Sequence, residues 1–76
     1  RTEQCCETTT RHASDLGFDV DYVGEATLTF PMTDVSGHVW SAAEIRARTE
    51  LVLADRFARI ATVEQALAGS AERKAA

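Results

Sequence analysis

Apolar and polar positions along this chain change period repeatedly, and each change predicts an element. From Thr2 to about Asp15 the period is helical. Cys5, Thr9, Ala13 and Leu16 share one face, and Glu3, Glu7, Arg11 and Asp15 share the opposite one. Thr2 is a candidate N-cap, Glu3 suits the positive end of the helix dipole, and Glu7 precedes Arg11 in the favourable order for an ion pair. Cys5 is therefore expected to point toward the protein, at the start of a helix whose outer face is charged. Gly17 closes that helix as a left-handed cap. Phe18–Val23 alternates acidic with apolar residues, which predicts a strand with one buried face.

Gly24 to Gly37 carries Pro31, Asp34, Ser36 and Gly37 as breakers and reads as irregular; loops of that length in compact domains are often functional. Ser41 and Glu44 have the spacing of a capping box. The helix they open should run to about Asp55, with Ala43, Ala47, Leu51 and Ala54 inward and Glu44–Arg48 and Arg46–Glu50 as solvent-side pairs. Phe57–Ala61 reads as a second strand. Thr62 and Gln65 form another capping box, Gly69 closes the helix behind them, and residues 70–76 read as a frayed tail.

The order is helix, strand, helix, strand, helix, an α/β pattern with parallel strands. Two strands are too few, because a parallel sheet needs neighbours and cover on both faces. Further strands are therefore expected upstream of Arg1. The chain has no initiator methionine, and Arg1 falls inside what reads as a catalytic turn.

Composition narrows the function classes. With 45% hydrophobic and 26% charged residues in a 76-residue chain, the sequence is that of an ordinary small globular segment. A net charge of −4, with Arg46, Arg48, Arg56 and Arg59 interspersed among acids, gives no footprint for nucleic acid or an anionic membrane. No apolar run approaches the ~20 residues of a membrane span, and no signal peptide is expected. Cys5 and Cys6 are adjacent and cannot staple distant segments, which favours a reducing, cytoplasmic setting.

A cysteine at the first turn of a helix is where thiol chemistry is favoured. Unpaired amides and the helix dipole stabilise the thiolate, and the same amides can hold the oxyanion of a tetrahedral intermediate. A bare cysteine on an apolar helix face is also a common packing residue. His12 follows Cys5 by about 10 Å of helix axis, out of direct reach, and reads as a partly solvated residue. His38 is freer, in a loop that can reach a pocket. Cys5, Cys6, His12 and His38 lack the paired spacings of a zinc site, and no metal or other cofactor is expected of this chain. Phe30, Pro31 and Met32 can form an apolar lip over a substrate, the loop following the C-terminal edge of a strand.

The surrounding letters add a resemblance. Thr2, Glu3, Cys5, Thr9, Ala13, Gly17, Phe18 and Val20 match, at the right spacings, the signature of the isochorismatase-like cysteine hydrolases, among them nicotinamidases and N-carbamoylsarcosine amidases. Gly24-Glu25-Ala26 stands where that family has an acidic-Ala pair, and Phe57–Glu64 is similar to its last strand and terminal helix. Cys6 replaces a usual valine and His12 a usual aspartate. The likeness covers about residues 1–68, and it implies that residues 1–69 are the C-terminal half of a single doubly wound, three-layer α/β domain.

This resemblance implies that Cys5 is the nucleophile, activated by an Asp with a Lys close by, both from the N-terminal half. It also implies an oxyanion hole of two backbone amides, here those of Arg1 and Cys5, shaped by a cis peptide ahead of the turn. Phe30, Met32 and His38 become candidate pocket residues. The partners implied are a small-molecule substrate, the N-terminal half of the same domain, and further copies in a homo-oligomer. An amide, imide or carbamoyl hydrolase working through a thioester is the reading this favours, with the chain inactive alone. An isochorismatase-type vinyl-ether hydrolase and a non-catalytic assembly module on the same fold stay open. Cys6 reads as a small buried hydrophobe or, alternatively, as a resolving thiol in a strained ring with Cys5.

Overall fold

The computed structural model describes residues 1–75, with side chains described through Gly69. The first helical stretch is kinked. Gln4 lies at φ −111° and ψ −105°, and the Cys6 N–H reaches back to Arg1 O at 3.2 Å, so Thr2–Cys6 forms a widened turn ahead of the regular helix α1, Glu7–Asp15. Gly17, at φ +94°, ends α1 as expected. The Phe18 N–H donates to Ala13 O at 3.1 Å and the Gly17 N–H to Ser14 O at 2.9 Å, the paired bonds of a left-handed glycine cap.

The faces of α1 differ from the periodic reading. Thr2 and Thr10 are buried, whereas Cys5, Thr9 and Leu16 are exposed. The inward stripe is turned by one residue, to Cys6 and Thr10, and the Thr10 hydroxyl is satisfied inside the helix by Cys6 O at 2.8 Å. Glu7, expected to face solvent, is drawn onto the next helix. It accepts from Arg48 Nη1 at 2.6 Å and Thr49 Oγ1 at 3.0 Å, as well as from Arg11 at 3.5 Å.

Strand β1 is Asp21–Tyr22, shorter than the predicted Phe18–Val23. The stretch read as irregular contains a helical turn at Gly24–Ala26 and an antiparallel hairpin of β2, Met32–Thr33, and β3, Val39–Trp40. The Asp34 carboxylate closes this hairpin. It accepts from the Ser36 and His38 backbone N–H groups at 2.9 and 3.1 Å, from Ser36 Oγ at 2.6 Å and from Trp40 Nε1 at 3.0 Å. These bonds hold its pKa down, to about 2.

Helix α2, Ala42–Leu53, opens on the predicted capping box. Ser41 Oγ accepts from the Glu44 N–H, and Glu44 Oε1 accepts from the Ser41 N–H, both at 3.1 Å. Its inward stripe is Ile45, Thr49 and Leu53 rather than Ala43, Ala47 and Leu51, and Leu51 is 76% exposed. Larger side chains take the inward positions because the facing groups, Glu7 and the Tyr22 ring, need a hydroxyl and bulk opposite them. Arg48, predicted to pair with Glu44, goes to Glu7. After Leu53, Asp55 takes φ 62°, and Leu53 O collects the N–H groups of Arg56, Phe57 and Ala58 at 3.0–3.3 Å.

That turn delivers β4, Arg59–Ile60, parallel to β1, with Asp21 opposite Arg59 and Tyr22 opposite Ile60. The Thr62–Gln65 capping box forms at 2.9 and 3.0 Å, and Glu25 Oε1 accepts from the Val63 N–H at 2.5 Å, so an acid from the Gly24–Ala26 turn sits on the positive end of α3, Val63–Ala75. Helix α3 continues through Gly69, which therefore does not close it, and takes in residues 70–75; Ala76 lies outside the described residues.

The core is Tyr22, Leu53 and Ala58, with Cys6, Val20, Val52, Phe57 and Ile60 packed against it. The radius of gyration is 14.1 Å, above the about 11 Å of a compact chain of this length. The fold is α/β with one parallel pair, as the element order predicts, extended by the hairpin.

Candidate active site

Cys5 lies in the kinked turn, immediately before Cys6 caps α1. Its thiol is exposed rather than turned into the core, and its Sγ is 3.2 Å from Arg1 N. Arg1 N is the chain-terminal ammonium here and stands in for a peptide N–H in any chain where Arg1 is preceded by another residue. The Cys5 pKa is lowered, first by the hydrogen bond from that ammonium and then by its charge. In a longer chain that charge is absent.

The turn is fixed from the segment that follows the Gly24–Ala26 turn. The Thr2 N–H donates to Leu28 O at 2.9 Å, Thr2 Oγ1 pairs with Thr27 Oγ1 at 2.6 Å, and Thr29 Oγ1 donates to Glu3 Oε1 at 2.9 Å. The Arg1 guanidinium lies 5.2 Å from the Phe30 ring centroid. Thr2 is thus a buried anchor and not the N-cap that its position suggested; the turn has no side-chain cap. Glu3 is half-buried, and its pKa is lowered by its own backbone N–H and by Thr29.

An open groove of about 320 Å³ runs past Cys5, bounded by Cys6, Thr9, Tyr22, Val23 and Thr27 among others. Tyr22 is 4% exposed and its hydroxyl has no hydrogen-bond partner; burial raises its pKa. Thr27, which would lower it, spends its single proton on Gly24 O at 2.6 Å. A larger open cleft, about 570 Å³, lies elsewhere, between Phe18–Asp21 and Asp55–Arg59, and is lined by no cysteine or histidine.

Cys5 and the Arg1 nitrogen are brought together. Phe30 reaches the same turn through Arg1, while Met32 and His38 stay with the hairpin, His38 edge-on to Trp40 at 4.6 Å between ring centroids. Met32 and His38 do not line the Cys5 groove, and His12 is exposed on α1. Lys74 falls outside the described side chains. Among the described residues no three His, Cys, Asp or Glu side chains gather as a metal site would, and no helix is long and apolar enough to cross a membrane. The sequence reading missed Thr27 and Thr29; their alternation about Leu28 was a strand-like signal inside a segment read as irregular.

Comparison with known proteins bears on this geometry. No family model matches the chain. An uncharacterized isochorismatase family protein of Bacillus subtilis, YrdC, is 39% identical over 64 residues, which is 84% of this chain and 34% of that protein. The crystal structure of a Chromobacterium violaceum protein assigned as a hydrolase of the isochorismatase family superimposes with a TM-score of 0.81 at 33% identity, covering 88% of this chain and 35% of that one. The chain thus spans about a third of the length of either relative. Sequence and fold agree in matching this chain to one stretch of an isochorismatase-family protein.

Proposed function

We propose that this chain carries the nucleophile of a cysteine hydrolase and works as part of a longer domain. Cys5 attacks the carbonyl of a small amide, imide or carbamoyl substrate. A carbon–sulfur bond forms, the carbon–nitrogen bond breaks as the leaving amine takes a proton, and water then cleaves the thioester to acid and free thiol. The observation that supports this best is the exposed Cys5 Sγ, 3.2 Å from Arg1 N and open to a groove. The nitrogens of Arg1 and Cys5 bracket that turn and are the donors proposed for the oxyanion. The activating Asp and Lys are assigned to the N-terminal part of the domain, so residues 1–76 alone are inactive. Further copies complete a homo-oligomer, in a reducing, cytoplasmic setting.

The test is ammonia or amine release by the longer protein from a panel that includes nicotinamide and N-carbamoyl amino acids. Wild type should turn over at least one class, Cys5→Ser should not, and mass spectrometry of the quenched wild type should find an acyl adduct on Cys5. Turnover that survives Cys5→Ser would assign the protein to vinyl-ether or other non-covalent hydrolysis. No turnover by a wild type lacking the upstream Asp and Lys would assign it to assembly.

A further inference from the structure

Gln4 is the joint between two blocks of the chain that are anchored independently. Ahead of it, Thr2 and Glu3 are tied to the segment 27–29. The Thr2 N–H donates to Leu28 O at 2.9 Å, and the Thr29 hydroxyl lies 2.9 and 3.3 Å from the two Glu3 carboxylate oxygens. Behind it, α1 is tied to α2 through Glu7, which accepts from Arg48 at 2.6 Å and from Thr49 at 3.0 Å. Helical dihedrals hold from Cys6 onward, so Gln4, at φ −111° and ψ −105°, takes up the mismatch between the blocks. The two nitrogens proposed for the oxyanion lie on opposite sides of this joint, Arg1 in the first block and Cys5 in the second. Their spacing, and the 3.2 Å between Arg1 N and Cys5 Sγ, therefore depend on what holds the first block in place. Of its ties, the Thr29–Glu3 bond is the one next to the joint. It is charge-assisted, and Thr29 is 5% exposed, so water does not take the place of its hydroxyl.

We propose that Thr29 is a positioning residue for Cys5: its hydroxyl fixes the Glu3 carboxylate and so sets the bend at Gln4 that brings Arg1 and Cys5 together. This rests on the reading of Cys5 as the nucleophile. Without that hydroxyl a half-buried carboxylate loses its donor and turns toward solvent. The bend at Gln4 is then no longer held from the first block, and the Arg1 nitrogen shifts relative to Cys5. The Thr2 N–H bond to Leu28 O does not replace it, because it leaves Glu3 free to turn.

The experiment measures kcat and KM of the longer protein, with urea unfolding of each variant alongside. Thr29→Val should lower kcat by about tenfold with KM little changed, while Thr29→Ser should stay within about twofold of wild type. Glu3→Ala removes the other half of the same contact and should match Thr29→Val. The double variant Glu3→Ala/Thr29→Val should then be no slower than either single one, because one contact can be lost only once. Losses that multiply in the double variant, or a Thr29→Ser as slow as Thr29→Val, would overturn the proposal. So would a Thr29→Val that unfolds at lower urea but keeps the wild-type kcat, since the hydroxyl would then serve stability alone. Where Thr29→Val does not fold, Glu3→Ala decides, and a kcat within about twofold of wild type would overturn the proposal. Failure of the nucleophile reading looks different: turnover then survives Cys5→Ser, whatever the Glu3 and Thr29 variants do.

Discussion

The turn around Cys5 and the outer surfaces of the helices satisfy their groups very differently. At the turn, Thr2, Glu3, Thr27 and Thr29 are joined by hydrogen bonds of 2.6–2.9 Å and lie buried or half-buried. On the outer surfaces, Leu16, Phe18 and Leu67 are 64–67% exposed, and Val35 lies open at the hairpin tip. Each hydrogen bond at the turn needs only one partner atom, so the chain completes it with its own residues. Apolar faces need an opposing layer, and a parallel pair of two-residue strands supplies too little of one. The chain therefore pairs a fully bonded turn with a thinly covered core, and it spans about a third of the length of its relatives.

The comparison predicts its largest effect for residues 1–76 in isolation. With so few buried apolar side chains, the purified chain should show no cooperative thermal transition by circular dichroism. A sharp melt as a monomer would show that the core is sufficient as it stands. A second effect separates the two surfaces within the longer protein. Leu53→Ala removes a fully buried side chain and should cost about 2–5 kcal/mol in urea unfolding. Leu16→Ala should approach that cost if the exposed face of α1 is covered there. A change within about 0.5 kcal/mol, as for a surface position, would mean that the face stays open.

Smaller effects probe the satisfied bonds. Ser41→Ala removes one half of a complete capping box and should destabilise by about 1 kcal/mol, read from the same urea curves. In the hairpin the Asp34 carboxyl is held at about 2, below its usual 3.8. The folded pKa is depressed, so its contribution is complete above the unfolded value and is lost as pH falls from about 4 toward 2. Trp40, whose indole N–H donates to Asp34, should change fluorescence across that interval, and Asp34→Asn should abolish the step.

Legibility in the sequence followed the range of each interaction. Both capping boxes and the Gly17 cap were readable because their partners lie within a few residues. Helix faces were less so: the periodic reading put Cys5, Thr9 and Leu16 inward, but what turns a helix is its neighbour, and here Glu7 is pulled across to Arg48 and Thr49. The hairpin escaped because Pro31, Ser36 and Gly37 mark breaks, while the bonds that close it run from Ser36, His38 and Trp40 to one side chain, Asp34. Cys5 was found by the letters around it. Its brace was not, since Thr2 and Thr27 meet across twenty-five residues.

The central claim, that Cys5 and not Cys6 is the reactive thiol, is tested most directly by peptide-resolved iodoacetamide labelling of the longer protein near neutral pH. Cys5 is exposed beside the Arg1 nitrogen, whereas Cys6 packs against the Tyr22–Leu53–Ala58 core. Labelling should therefore reach Cys5 at least about tenfold faster. Equal rates at the two thiols, or faster labelling of Cys6, would contradict the account.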